Sequence, residues 1–95
     1  MFHHVVMFTL KAKNERHVVA TALRRLEGSV PTLETITVGV DTLSSPRAAD
    51  VCLITTFETL KGFEQYQTHP EHIRVLDFIK PMVDKSEVVD WFASS

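Results

Sequence analysis

The sequence predicts an α+β domain with the element order β-α-β-β-α-β, which is the order of the ferredoxin-like fold with its antiparallel sheet. Four runs have the apolar, β-branched composition of strands, and two stretches with helical spacing separate the first run from the second and the third from the fourth. Three of the predicted strands are apolar on both faces, and a chain of 95 residues is too short to cover both. We therefore expect a homodimer in which two sheets pack face to face.

The first half of the chain supplies two of the strands and one helix. Residues 2–10 are dense in β-branched and aromatic residues and form the first predicted strand. A helix is predicted at about 14–27, with Asn14 as its N-cap and Gly28 as its stop, because apolar residues recur there at helical spacing. The second strand is predicted at 34–41, where apolar residues alternate with threonine and glycine.

The second half repeats this arrangement with a broken helix. The third strand is predicted at 50–58, and Thr59 is a suitable N-cap for the helical stretch that follows it. His69 and Pro70 interrupt that stretch, because a residue before proline is disfavoured in the helical region, while proline suits the first turn of a new helix. The last strand is predicted at 85–93.

Composition limits the classes of function. The whole of 1–95 is predicted to be a single domain, since its length is too small for two. The net charge is −2 and no segment concentrates basic residues, so we do not expect a nucleic-acid partner. No run approaches the roughly 18 apolar residues of a membrane span, and one cysteine allows no intrachain disulfide. We expect a cytoplasmic protein without a membrane partner.

Three residues near the third strand are expected to be structural. Arg47 and Asp50 are predicted to form an ion pair across the loop, or to reach the dimer partner, with little effect on stability. Cys52 is predicted to be a small buried apolar residue, because no cation lies near it in the sequence.

The segment 63–72, with the sequence FEQYQTHPEH, contains the main candidates for chemistry. It brings the only tyrosine, Tyr66, and two of the five histidines, His69 and His72, into ten residues. Histidine titrates near neutral pH and a tyrosine hydroxyl can donate a hydrogen bond to a developing oxyanion. The segment is therefore the first place to look for a binding or catalytic site.

Three parts of the chain resemble a known family. These parts are the opening HHVVMFTL, the approach to the third strand from Arg47 to Asp50, and the motif YQTHPEH at 66–72. Together they resemble the stress-responsive dimeric A/B barrel family, which covers essentially the whole chain. The resemblance implies a dimeric ferredoxin-like α/β barrel. The family includes plant stress-induced proteins and a plant polyketide cyclase that closes a ring by aldol chemistry.

The resemblance also implies a set of site residues. The positions that line the cyclase pocket match His4, Tyr66 and His72 here. Such a set can support proton abstraction beside a carbonyl, with His72 as general base, Tyr66 donating to the enolate oxygen and His4 orienting the base or the substrate. His69 and Phe63 are expected to line the same ligand site. No metal and no cofactor is expected, and the expected ligand is a carbonyl or polyketide-like small molecule.

Alternative functions remain open at this stage. In the first reading the chain is a small-molecule-binding homodimer, with or without cyclase- or isomerase-like activity, and it has a cavity lined by His4, Tyr66 and His72. In the second it is a non-catalytic stress-related or structural dimer, whose His69 and His72 bind backbone groups freed by the helix break. A weaker third reading is a cofactor-independent monooxygenase-like barrel. Whether the chain is an enzyme is left undecided by the sequence.

Overall fold

The computed structural model describes residues 1–94 as a four-stranded antiparallel sheet with three α-helices on one face. The strands stand in the order β2-β3-β1-β4. Their bounds in chain order, with those of the helices, are β1 Phe2–Leu10, α1 Arg16–Arg24, β2 Thr35–Val40, β3 Val51–Phe57, α2 Leu60–Thr68, α3 Pro70–Ile79 and β4 Val83–Phe92. The predicted ferredoxin-like order is confirmed, with the second helical stretch divided into α2 and α3 as expected.

The first helix is shorter than the sequence predicted. A 3₁₀ turn at Lys13–Glu15 precedes α1, so Asn14 lies inside this turn and does not cap the helix. At the other end, the amide of Leu26 donates to the carbonyl of Leu23, three residues back, and neighbouring amides do the same. These tight bonds replace the last α-helical turn. Gly28 then takes the left-handed conformation, with φ of 74°.

The hydrophobic core lies between the helices and one face of the sheet. Paired residues of neighbouring antiparallel strands share a face, so the alternate residues of β1 meet their partners on β3 there. The face continues onto β2 through its half-buried residues. Burial of apolar side chains on this face contributes most of the favourable free energy of folding. The core residues are Phe2, Val6, Phe8, Leu10, Val19, Ala20, Ala22, Leu23, Leu26, Val30, Val51, Leu53, Phe57, Phe63, Tyr66, Val75 and Ile79.

Asp50 connects β1 to the start of β3 through hydrogen bonds. Its carboxylate accepts a hydrogen bond of 2.8 Å from the backbone amide of Leu10, and its own amide donates to the carbonyl of Phe8. The predicted pair with Arg47 across the loop is wrong for residues 1–94, since Arg47 is exposed and Asp50 is buried at 3% exposure, and a contact of either residue with a dimer partner stays a prediction. A buried carboxylate needs hydrogen-bond partners, and the amide of Leu10 is one of them here. Cys52 is half-buried, rather than buried as predicted.

The opposite face of the sheet is open and largely apolar. Its exposed apolar side chains come from β1, β3 and β4, where Val5 of β1 pairs with Ile54 of β3 on one side and with Val89 of β4 on the other. They are Met7, Ile54, Val89 and Trp91, with exposed fractions of 41%, 37%, 57% and 42%. Exposed apolar surfaces are typical of sites that another molecule covers.

Candidate functional site

The candidate site lies where the break between α2 and α3 faces the start of β1. Thr59 caps α2 as predicted, because its hydroxyl accepts from the amide of Gly62 at 3.0 Å. Phe63 and Tyr66 are one turn apart on the buried side of α2, and His72 stands on the buried side of α3. His4 on β1 faces the helices. Ring contacts connect these side chains from β1 to α3.

The helix break is stabilised by two of its own histidines. The extended backbone of His69 removes the helical bond between the carbonyl of Gln67 and the amide of Glu71. That amide donates instead to Nδ1 of His69 at 3.1 Å, and that carbonyl lies 3.1 Å from Nδ1 of His72. Pro70 begins α3 and needs no amide partner. The expectation that both histidines bind backbone groups freed by the break is confirmed.

The contact with Gln67 also fixes the chemistry of His72. A carbonyl oxygen only accepts, so Nδ1 carries the proton and Nε2 of the neutral ring keeps its lone pair. Burial lowers the pKa of His72 below its ordinary value of 6.5, against the opposing effect of the Gln67 bond, and positive charge on His4 or His69 lowers it further. His72 is therefore neutral at neutral pH and has the form a general base requires.

Tyr66 is the most deeply buried polar side chain of the cluster. Its ring is inaccessible to solvent, lies 4.2 Å from the ring of His72 between centroids, and packs against Phe57 at 5.0 Å. Its hydroxyl is buried with no hydrogen-bond partner among the described residues. Burial raises the pKa of Tyr66, so the phenol stays protonated and is an unused donor.

His4 is paired with an acid that the sequence analysis did not identify. Nδ1 of His4 lies 2.5 Å from Oδ1 of Asp90, and the imidazole packs on Phe63 with 4.7 Å between ring centroids. Because the carboxylate accepts the hydrogen bond, Nδ1 of His4 donates it, and Nε2 of the same ring takes no part in this contact. A carboxylate in this position orients the ring and stabilises positive charge that forms on it during proton transfer.

The pairing of His4 with Asp90 comes from strand register. The two residues are direct partners between β1 and β4, 86 positions apart in the chain. The one sequence signal was an acid between Val88 and Phe92, which are apolar residues of the same strand face. Without the register, that acid cannot be assigned to a particular histidine.

The structure thus joins four of the five predicted site residues through ring contacts. His4 meets Phe63, the rings of Phe63 and Tyr66 are 6.3 Å apart, and Tyr66 meets His72. His69 lies beside them, with one ring nitrogen engaged in capping α3. The roles of all five residues in binding or catalysis stay predictions.

None of the main clefts on the described surface lies at this cluster. Five clefts have volumes between about 180 and about 340 Å³, and none is lined by His4, Tyr66 or His72. The predicted cavity therefore stays a prediction. A ligand reaches the Tyr66 hydroxyl only if the covering side chains move.

Within residues 1–94, no three histidine, cysteine or acidic side chains come together as candidate metal ligands. None of the described helices has the length and hydropathy needed to cross a bilayer.

The fold and the side chains together define a ferredoxin-like α+β domain with a buried histidine–tyrosine cluster next to a histidine–aspartate pair. The family model for the stress responsive A/B barrel domain matches residues 2–93, and the chain belongs to this family. No curated protein sequence is significantly similar to the chain.

Solved structures with the same fold differ in what is known of them. A dimeric ferredoxin-like protein of unknown function from Thermobifida fusca is 25% identical with a TM-score of 0.85, over 97% of this chain and 90% of that one. A dimeric protein of unknown function from Bacteroides fragilis is 22% identical with a TM-score of 0.83, over 97% and 95%. A hydroxynitrile lyase from Passiflora edulis is 14% identical with a TM-score of 0.81, over 99% and 94%. Similarities below 25% identity establish the fold alone.

Proposed function

We propose that this protein is a homodimeric small-molecule-binding enzyme that moves a proton at a carbon next to a carbonyl, in the manner of a cyclase or isomerase and without a cofactor. The observation that carries the proposal is the Tyr66 hydroxyl, a buried donor without a partner among the described residues. The ring of Tyr66 packs against the neutral ring of His72, with 4.2 Å between the two centroids. An unpaired buried hydroxyl is costly, and a ligand or a reaction that uses the hydroxyl is one reason for a native protein to retain it.

The roles follow from the hydrogen-bond inventory. Nε2 of His72 accepts the proton, because its Nδ1 is engaged with the carbonyl of Gln67. The Tyr66 hydroxyl donates to the oxygen on which negative charge develops, in a site where water is excluded and the hydrogen bond is strong. His4, held by Asp90, orients the substrate or exchanges the proton at a second position.

The dimer is proposed through the open face of the sheet. Met7, Ile54, Val89 and Trp91 form an apolar surface there that a second copy can bury. The similar proteins from Thermobifida fusca and Bacteroides fragilis are described as dimeric. A small domain gains from such association, because its own core is limited by its surface-to-volume ratio.

The proposal is tested by ligand binding followed by isotope exchange. Aromatic and polyketide-like carbonyl compounds are screened for a rise in melting temperature, since a ligand that binds only the native state stabilises it. Compounds that bind are then incubated in deuterated buffer, and proton NMR follows deuterium incorporation next to the carbonyl. We expect exchange with the wild type, about a hundredfold slower exchange with His72→Gln, and normal exchange with Arg74→Gln, an exposed change on the same helix.

Two results would contradict the proposal. Equal exchange by the wild type and His72→Gln would remove His72 as the base. Oxygen consumption with a bound compound, without deuterium exchange, would favour the monooxygenase-like alternative.

A non-catalytic dimer is the second candidate, and the helix break favours it. His69 and His72 both satisfy backbone groups there, which is a sufficient structural reason for their presence. This candidate predicts that no carbonyl compound raises the melting temperature, and that His72→Gln lowers stability without any other effect.

A further inference from the structure

The outer surface of the helical layer carries a groove that the proposed active site does not use. It lies between α1 and α3, has a volume of about 340 Å³, and is lined by His17, Val18, Thr21, Ala22, Arg25 and Phe78. α3 thus presents His72 to Tyr66 of α2 on its buried side and Phe78 to this groove on its outer side. The groove is on the opposite layer from the open sheet face, so a dimer formed through that face leaves it accessible.

The apolar part of the groove is unusually exposed for helices that pack on a core. Phe78 is 53% exposed and Val18 is 47% exposed, with the buried Ala22 as the floor between the helices. Alanine at this position keeps the floor low and lets a side chain from outside approach the helix backbone. Large aromatic side chains at the centre of a small concave surface are typical anchors of protein interfaces.

The groove is lined by one formal positive charge, Arg25, and by the polar ring of His17. His17 stands near one end and Arg25 at the other, eight positions apart, which corresponds to about 12 Å along a helix. Neither has an ion-pair partner in the described chain, and none of the residues lining the groove is acidic. Arg25 is one of three arginines between Glu15 and Glu27, and of these Arg16 is paired with Asp41.

We propose that this groove between α1 and α3 is the docking site for an acidic amphipathic helix of a protein partner. Apolar residues of the partner helix, spaced at i, i+4 and i+7, would cover Phe78 and Val18 and fill the space above Ala22. A carboxylate on the partner would meet Arg25 at one end of the groove, and a second polar group about two turns away would hydrogen-bond to His17 at the other end. The small size of the groove fits a weak, reversible interaction.

The test uses a fluorescently labelled synthetic helix of about 18 residues with leucine at the i, i+4 and i+7 positions and glutamate on both flanks. Anisotropy measures its affinity, and ¹H–¹⁵N NMR of the labelled protein maps the contact. We expect binding that weakens as ionic strength rises from about 0.05 to about 0.5 M, with shifts concentrated at Val18, Thr21 and Phe78. A peptide with lysine in place of glutamate should not bind.

Matched variants separate the groove from the rest of the surface. Arg25→Glu should weaken peptide binding about fivefold or more, whereas Arg47→Glu makes the same charge change on the exposed loop and should leave it unaltered. Phe78→Ala should weaken binding similarly, and Leu43→Ala, at an 85% exposed position, should not.

Three results would overturn the proposal. The first is no binding of the acidic peptide at a concentration of about 1 mM, because an affinity weaker than this is too low for a functional contact of this kind. The second is equal weakening by Arg25→Glu and Arg47→Glu. The third is binding of the protein to phosphatidylserine-containing vesicles but not to the peptide, which would assign the groove to a membrane surface.

Discussion

Replacing Tyr66 by phenylalanine should stabilise the protein while it impairs the proposed function. The change removes one hydroxyl and keeps the ring, which is buried against Phe57 and His72. A buried polar group without a partner costs about 1–3 kcal/mol, and the hydroxyl has none among the described residues. We therefore expect the free energy of unfolding to rise by about 1 kcal/mol, equivalent to roughly 4–8 °C in melting temperature for a chain of this size.

Thr55 provides the matched control for this experiment. Its hydroxyl is also fully buried, but it donates to the carbonyl of His4 at 3.2 Å. Thr55→Val removes a hydroxyl that has a partner and should lower the free energy of unfolding by about 0.5–1.5 kcal/mol. The two substitutions thus have opposite expected signs for the same chemical deletion.

Urea denaturation measures both variants at one protein concentration, because association makes apparent stability depend on concentration. The slope of the transition should stay constant, so that a shifted midpoint reports stability. A loss of about 1 kcal/mol or more in Tyr66→Phe would refute the reasoning, since it would show that the hydroxyl has a stabilising partner in solution. A carbonyl ligand that stabilises the wild type should stabilise Tyr66→Phe less.

Three further predictions follow from other contacts. Because the pKa of His72 in the folded protein is below 6.5, the unfolded chain binds more protons than the folded one as pH falls below 6.5. The stability advantage of the wild type over His72→Asn, measured by urea midpoints, should therefore shrink as pH falls below 6.5. An advantage that does not depend on pH would contradict this. Asp90→Asn removes the charge beside His4 and should slow any proton exchange about a hundredfold with little change in melting temperature; unchanged exchange would show that the charge is not used. Val89→Arg should give monomers in light scattering, whereas Val88→Arg should leave the dimer intact, because Val88 is exposed to a similar degree, 51% against 57%, on the other face of β4. A dimer in both variants would place the interface elsewhere.

The histidine motif illustrates how structural and chemical roles coincide. The break at His69 and Pro70 frees a carbonyl and an amide, and the two histidines of the motif satisfy them. In doing so, the carbonyl of Gln67 leaves Nε2 of His72 available as a base. A structural reason for a residue therefore does not exclude a catalytic one, and only variants that separate stability from activity can distinguish the two.

The sequence by itself determined the element order, the helix break and the apolar character of both sheet faces. These features depend on local sterics and on short periodicities, such as the effect of Pro70 on His69 and the alternation along residues 2–10. The ends of α1 were less predictable, because helix ends fray and often finish in 3₁₀-type bonds, as α1 does after Arg24.

Only the tertiary structure decided which distant groups meet. The pairing of His4 with Asp90 depends on the register of two strands that lie at opposite ends of the chain, and the role of Asp50 depends on its approach to the amide of Leu10. The unpartnered hydroxyl of Tyr66 depends on which side chains pack around it. Such contacts are set by long-range packing, in which every element contributes, and therefore no local pattern of residues specifies them.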